Sequence, residues 1–255
     1  MRARASAVLL AALGLGVTGC GADRPPAGGD PVTVLDVHAA ASLTDTFTEL
    51  AEQFEAQHPG VEVRLNFAGS SALVQQLTEG AAADVLATAD ERSMAGAVDA
   101  GLVDGEPEVF ATNVLAVVVP ADNPAGVDSL RDLADPGVQA VVCAPQVPCG
   151  AATERLEDAT GVRLSPVSEE GSVTGVLGKV TSGQADAGLV YATDARSAGD
   201  AVEVVEVPQA ARAVNRYPIA ALADSGETET ARRFTELVAG DPGREVLAGA
   251  GFGAP

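Results

Sequence analysis

The sequence predicts an α/β protein built as two similar lobes, and three observations carry that reading. Short apolar runs alternate with 3.6-periodic segments through residues 32–255. A strand-helix order repeated three times is followed by a similar run and then by a terminal helical return. The chain has 255 residues, 47% of them hydrophobic, enough for two lobes of roughly 100 residues each with a substantial core, although Trp is absent and only six Phe and two Tyr occur.

The elements follow in order. Residues 32–39 (VTVLDVHA) read as a strand, and the helix after them carries Phe47, Leu50, Ala51 and Phe54 on one stripe until 58–60 (HPG) stops it. Residues 61–68 (VEVRLNFA) alternate as a half-buried strand, 69–80 (GSSALVQQLTEG) form a serine-capped helix closed by Gly80, 83–90 (ADVLATAD) a strand, and 91–101 (ERSMAGAVDAG) a helix ending at Gly101. Residues 113–120 (NVLAVVVP) are apolar almost without a break, as in a strand covered on both faces. A short helix (128–137), a strand (138–145, VQAVVCAP) and a helix (150–161) come next. Residues 171–183 then set Val173, Val176, Leu177 and Val180 on one helical face, ahead of strands at 187–192 (AGLVYA), 201–208 and 217–223 and of helices at 230–240 and 242–252. The chain is expected to cross between lobes near 112–115 and 216–220. That assigns 32–112 plus 219–255 to lobe I and 113–218 to lobe II, with a ligand held between lobes that close by hinging.

Residues 1–19 have the parts of a secretion signal. Arg2 and Arg4 form a positive start, AVLLAALGLGV an apolar stretch too short to span a bilayer, and VTGC a match to the bacterial lipobox. Cleavage there makes Cys20 the lipidated N-terminus, and 20–31 (CGADRPPAGGDP) a tether with no apolar face to bury. Cys143 and Cys149 remain, six positions apart in a protein expected to face an oxidising exterior. They read as a disulfide rather than as a thiolate metal site, since no His lies nearby.

The net charge of −21, made more negative by loss of Arg2 and Arg4, argues against nucleic acid and against peripheral attachment to anionic lipid. It also constrains any anion site. Charges beyond ~8 Å are screened at physiological salt, so such a site works only if its own lining is neutral N–H and O–H.

One stretch points to such a site. In 36–45 (DVHAAASLTD) the side chains thin to methyls just before a helix N-terminus, where unpaired N–H groups and a partial positive charge suit an anion. The plainer alternative is a packed turn capped by Ser42 or Thr44. Comparable junctions carry Ser70 in FAGSSAL, Cys149 in QVPCGAA and Val173 in EEGSVTG, while Tyr191 in GLVYATDA ends a strand. Ligands of α/β sheets sit outside the C-terminal strand ends, so these junctions from two lobes are placed to meet at one cleft.

Through AAASLT, FAGSS, GLVYATDA and the C-terminal GFG, in that order and spacing, the chain resembles the periplasmic molybdate-binding proteins of ABC transporters, bacterial solute-binding lipoproteins. The resemblance implies the two-lobe periplasmic-binding-protein (Venus-flytrap) fold, holding molybdate or tungstate by hydrogen bonds alone. Ser42 and Ser70 would each offer a hydroxyl and a backbone N–H, Cys149 and Val173 backbone N–H groups, and Tyr191 its phenol. Family members often have Ala in the place of Cys149; a backbone donor does not depend on the side chain, and the disulfide would then fix the angle of that N–H. The implied partners are molybdate, an ABC permease and the membrane through the lipid anchor. No cofactor, no bare metal cation and no nucleic acid are expected, and the chain is expected to be an extracytoplasmic monomer. A sulfate or thiosulfate receptor, and a surface sensor without transport, are the alternatives.

Ligand chemistry points the same way. Molybdate above weakly acidic pH carries no proton, so its pocket needs donors only, whereas phosphate keeps a proton that calls for a carboxylate acceptor; none of the five positions is acidic. Asp45 is expected to close a capping box on its own helix, and Asp194 to cap the segment after Tyr191. Arg212 and Arg216 read as solvated surface residues, and His38 and His58 as structural. With no nucleophile elbow, no Walker loop and no base near the serines, the sequence does not read as an enzyme.

Overall fold

The alternation of the first strand does what its period demands. β1 (Thr33–Ala40) buries Leu35, Val37 and Ala39, and α1 (Thr44–Gln57) adds Phe47, Leu50 and Phe54 to the same core. The structure, a computed structural model, describes residues 32–255. The signal peptide, Cys20 and the tether expected over 1–31 lie outside the described residues.

Four further elements complete the first run of strands and helices: β2 (Val61–Ala68), α2 (Ser70–Thr78), β3 (Val85–Ala87) and α3 (Glu91–Asp99). Leu73 and Leu77 of α2, Leu86 of β3 and Met94 of α3 form a second, smaller core. β4 (Glu108–Asn113) ends at the first passage between lobes, and β5 (Leu115–Pro120) begins one residue later in the other sheet. The second run is β6 (Ala140–Cys143), α4 (Pro148–Thr160), β7 (Ser168–Glu170), α5 (Val173–Thr181), β8 (Ala187–Tyr191), α6 (Ala192–Ala198) and β9 (Val202–Val205). β10 (Asn215–Ala221) then rejoins the first sheet. α7 (Thr228–Ala239) and α8 (Asp241–Ala250) pack back on lobe I, where Phe234 meets Phe54 edge-on with ring centroids 5.3 Å apart.

The two sheets share one topology. Their strand orders are β2-β1-β3-β10-β4 and β7-β6-β8-β5-β9. In each, three parallel strands are followed by one antiparallel strand that has just arrived from the other lobe. The crossing strands β5 and β10 are thus built into the sheets, and both passages are short.

Several sequence expectations need correcting. The apolar run 113–120 is not one strand: Val114 breaks it, and Asn113 ends a separate strand, Glu108–Asn113, whose three apolar residues were too few to reveal it. Residues 128–137 hold a 3-10 turn (Leu130–Ala134) rather than an α-helix. β7 has only three residues, all Ser or Glu, and α6 starts directly at the end of β8. The return to lobe I comes before 216–220, because β10 is already paired at Asn215, opposite Asn113 of β4. Two asparagines gave no strand signal to read, yet both are buried, at 4% and 1% exposure, and bonded across the lobes.

Candidate ligand site

Six parallel strands aim their C-terminal ends at the space between the lobes, and each delivers a small residue or a donor there. β1 leads into a 3-10 turn (Ala41–Leu43) that holds Ser42. Ser70 is the first residue of α2, and Ala89 follows β3. Cys149 lies in the first turn of α4, Val173 opens α5, and Tyr191 ends β8. All five residues singled out from the sequence line one cavity, together with Ala40, Ala41, Gly69 and Ala89. First-turn amides of α2, α4 and α5 have no acceptor within their own helices, so these helices present N–H groups and positive dipole ends. The cavity is small, about 10 Å³. That is the scale of a single water-sized guest, which excludes a sugar or an amino acid and leaves a larger ion to be admitted by a slight parting of the lobes.

Two close approaches shut it. A Cβ on Gly69 would collide with the carbonyl oxygen of Gly171 across the cleft, so that junction requires glycine for space, not for conformation. A Cβ on Gly150 would likewise strike the Ala144 carbonyl, which lets α4 start hard against the end of β6. Cys143 and Cys149 are disulfide-bonded and tie the same two points together. At the rim, the Gln146 carbonyl accepts from Ser71 Oγ at 2.6 Å and Arg92 Nη2 at 3.1 Å, both from lobe I.

The hydroxyls facing the cavity are held from behind. Ser70 Oγ accepts from the Ala89 N–H at 3.0 Å. Tyr191 Oη accepts from Asn215 Nδ2 at 2.7 Å, and Ser42 Oγ lies 3.1 Å from Tyr217 Oη. Burial pushes both tyrosines well above the ordinary phenol range, so both stay protonated. Asn215, Tyr217, Asn113, Arg92 and Gln146 were not singled out from sequence. The one available signal was a pair of asparagines at strand ends, where a buried amide must find partners.

No carboxylate lines the cavity. Asp90 is turned away, capping α3 through the Ser93 N–H at 2.9 Å. Asp194 caps α6 as the sequence suggested, accepting from the Tyr191 N–H at 3.1 Å, and burial first of all pushes it up to about 7. Asp45 does not close a capping box: α1 has no side-chain cap, and the carboxylate accepts instead from Ser197 Oγ of lobe II at 2.5 Å. The reason is position, since Asp45 sits in the first turn of α1, facing α6 across the cleft. Asp45 and Asp194 line a larger neighbouring cleft of about 410 Å³ together with Arg196, so that cleft is not a site of neutral donors. His58 stacks on Phe54 in lobe I. His38 is buried under α2, its Nε2 beside Asn66 Nδ2 and its pKa lowered by burial. Arg216 pairs with Glu91 at the surface, and Arg212 is exposed.

Two matched α/β lobes closed on a cavity lined by neutral donors define a two-lobe binding protein. The chain belongs to the bacterial extracellular solute-binding proteins, whose family pattern matches residues 35–253. It is 49% identical over 254 residues, 98% of its own length and 96% of the relative's, to molybdate-binding protein ModA of Mycobacterium tuberculosis, which places it in the ModA family. The fold is shared with the periplasmic molybdate-binding protein of Azotobacter vinelandii (TM-score 0.75, 23% identity, 87% of this chain and 99% of that one). It is shared almost equally with the sulfate-binding protein SubI of Mycobacterium tuberculosis (TM-score 0.73, 23% identity, 86% of each chain).

Proposed function

We propose that this protein captures molybdate, and tungstate with it, outside the cytoplasmic membrane and hands it to an ABC permease. The observation that carries the reading is the meeting of five neutral donor positions from two lobes around one small cavity that has no carboxylate in its lining. Ser42 and Ser70 each give a hydroxyl and an amide, Cys149 and Val173 give amides, and Tyr191 gives its phenol. Neutral dipoles fixed in a closed, dry site hold a dianion strongly because they need no reorganisation on binding. This resolves the difficulty posed by a net charge of −21, since no arginine lines the cavity. The closed state gains its preference from the ligand: Ser42 and Ser70 belong to lobe I, the other three positions to lobe II, and only closure assembles the full set.

Kinship with ModA at 49% identity supports molybdate as the guest. Lipidation of Cys20 would tether the protein at the membrane, and among the described residues no helix is long and apolar enough to cross it. Calorimetric titration with molybdate, tungstate, sulfate and phosphate tests the assignment. One tightly bound molybdate or tungstate per chain is expected; preference for sulfate, or no heat with any of the four, overturns it. The sulfate reading has one observation in its favour, the near-equal fold match to SubI, and the same titration decides it. A sensor without transport predicts normal molybdate uptake when the gene is deleted, whereas the transport reading expects uptake to fail at limiting molybdate.

A further inference from the structure

We propose that Asn215, Asn113 and Tyr217 set the direction in which the cleft hydroxyls point their protons, and thereby select oxyanions that carry no proton of their own. The inference rests on the reading of the cavity as an oxyanion site, but not on which oxyanion occupies it.

The argument is a count of donors and acceptors. The amide of Asn215 has one workable orientation. Its Oδ1 receives Arg155 Nη2 at 2.5 Å, while its Nδ2 faces the carbonyls of Ala89 at 2.8 Å and Pro148 at 3.4 Å. Exchanging the two ends would set oxygen against two carbonyls and N–H against a guanidinium. Nδ2 therefore donates to Tyr191 Oη, and the phenol's own proton is left for the guest or, without one, for Tyr217 Oη beside it. Asn113 is oriented in the same way: its Oδ1 takes the Val114 N–H at 2.9 Å, and its Nδ2 donates to Thr193 Oγ1 at 2.8 Å and reaches Tyr217 Oη at 3.5 Å. With its oxygen approached by that donor, Tyr217 directs its proton to Ser42 Oγ, and the Ser42 proton turns to the cavity. Ser70 needs no relay: the Ala89 N–H takes one of its two acceptor positions, and its own proton is free for the cavity.

Each hydroxyl thus has its one proton directed at the guest, an arrangement that favours a guest whose facing oxygens are all unprotonated. Packing keeps the arrangement fixed. Tyr217 is fully buried, with Tyr191 at 5.8 Å and Phe252 at 5.4 Å between ring centroids. Asn113 and Asn215 stand directly opposite each other on β4 and β10, where the chain passes between lobes. The polarity is therefore set at the hinge and reaches both lobes.

Asn215→Asp tests this, because an acid group replaces the donor behind Tyr191 with an acceptor and turns the phenol's proton away from the cavity. The full protein and the variant are titrated at neutral pH with molybdate, sulfate and phosphate, and thermal unfolding of the free proteins reports folding. The parent is expected to favour its preferred unprotonated dianion over phosphate by at least 100-fold, and Asn215→Asp to shrink that ratio at least tenfold. Tyr217→Phe, which removes the proton given to Ser42 together with the long contact to Asn113, is expected to shrink it by threefold or more and serves if the first variant does not fold. A purely structural role would weaken all the anions in proportion. An unchanged ratio in a folded variant, or a parent that binds phosphate as tightly as the unprotonated dianions, overturns the inference. Preference for sulfate over molybdate overturns the molybdate assignment and leaves this inference standing, while a parent that binds none of the three removes both.

Discussion

Replacing Ser70 by Ala separates two roles that one hydroxyl plays. Its oxygen satisfies the buried Ala89 N–H at 3.0 Å, and its proton is directed into the cavity from a residue only 1% exposed. Losing a hydrogen bond to a charged partner costs about 1.5–3 kcal/mol. At about 1.4 kcal/mol per tenfold, the molybdate Kd should rise about 10- to 150-fold. The orphaned Ala89 N–H acts on free and liganded protein alike, so it belongs to stability and not to affinity. It is worth about 1–3 kcal/mol, and a chain of this size loses roughly 2–4 °C in Tm per kcal/mol. Ser71→Ala is the control. Ser71 is half-buried and its hydroxyl bonds the Gln146 carbonyl at the rim. A neutral, solvated bond of about 0.5–1 kcal/mol allows about a two- to fivefold loss, with Tm unchanged. Calorimetry and thermal unfolding of the two variants give the answer. If Ser70→Ala binds within twofold of the parent, or if Ser71→Ala is the more damaged, the cavity has been assigned to the wrong place.

Three other outcomes follow from the same geometry. Gly69→Ala places a Cβ against the Gly171 carbonyl of the opposite lobe while keeping an unstrained backbone at φ −61, so titration should show affinity falling at least tenfold with the Tm of the free protein unchanged. Asp194, with its pKa raised from 3.8 to about 7, binds more protons folded than unfolded between those values, so its contribution to stability falls as pH rises through that window. Asp194→Asn keeps an acceptor for the Tyr191 N–H and removes the titration; stability measured by denaturation from about pH 5 to about pH 8 should then decline less than in the parent, by about 2–3 kcal/mol. Reducing the Cys143–Cys149 disulfide, which spans six positions, should cost about 2 kcal/mol of stability by loop entropy and lower Tm by roughly 4–8 °C, read by scanning with and without reductant.

The parts of this protein that were legible in the sequence are those that depend on local pattern. Apolar periodicity located most strands and helices, because burying one face of an element fixes its period. The candidate cavity was legible through junction chemistry: Ser42, Ser70, Cys149, Val173 and Tyr191 stand where strands end, and all five line it. Elements with little apolar content were not legible. β7 is three polar residues held by parallel pairing with β6 and by Lys179 of α5, and β4, whose short apolar stretch buries Phe110 and Ala111, is recognised through its pairing with β10. Asp45 was misread because its partner, Ser197, is 152 residues away and no local rule names it. The same holds for Asn113, Asn215 and Tyr217, whose work depends on a pairing between β4 and β10 that joins the two crossings. Their residue types gave a hint, since a buried amide in a strand demands partners, but not the identity of those partners.

The central claim, that donors from both lobes surround a fully deprotonated tetrahedral anion, is tested most directly by crystals grown with molybdate and measured at the molybdenum absorption edge. The expected result is one anomalous peak per chain between Ser42, Ser70, Cys149, Val173 and Tyr191, with its oxygens about 2.7–3.0 Å from those donors. A peak in the larger cleft beside Asp45 and Asp194, or none in either, would contradict the account.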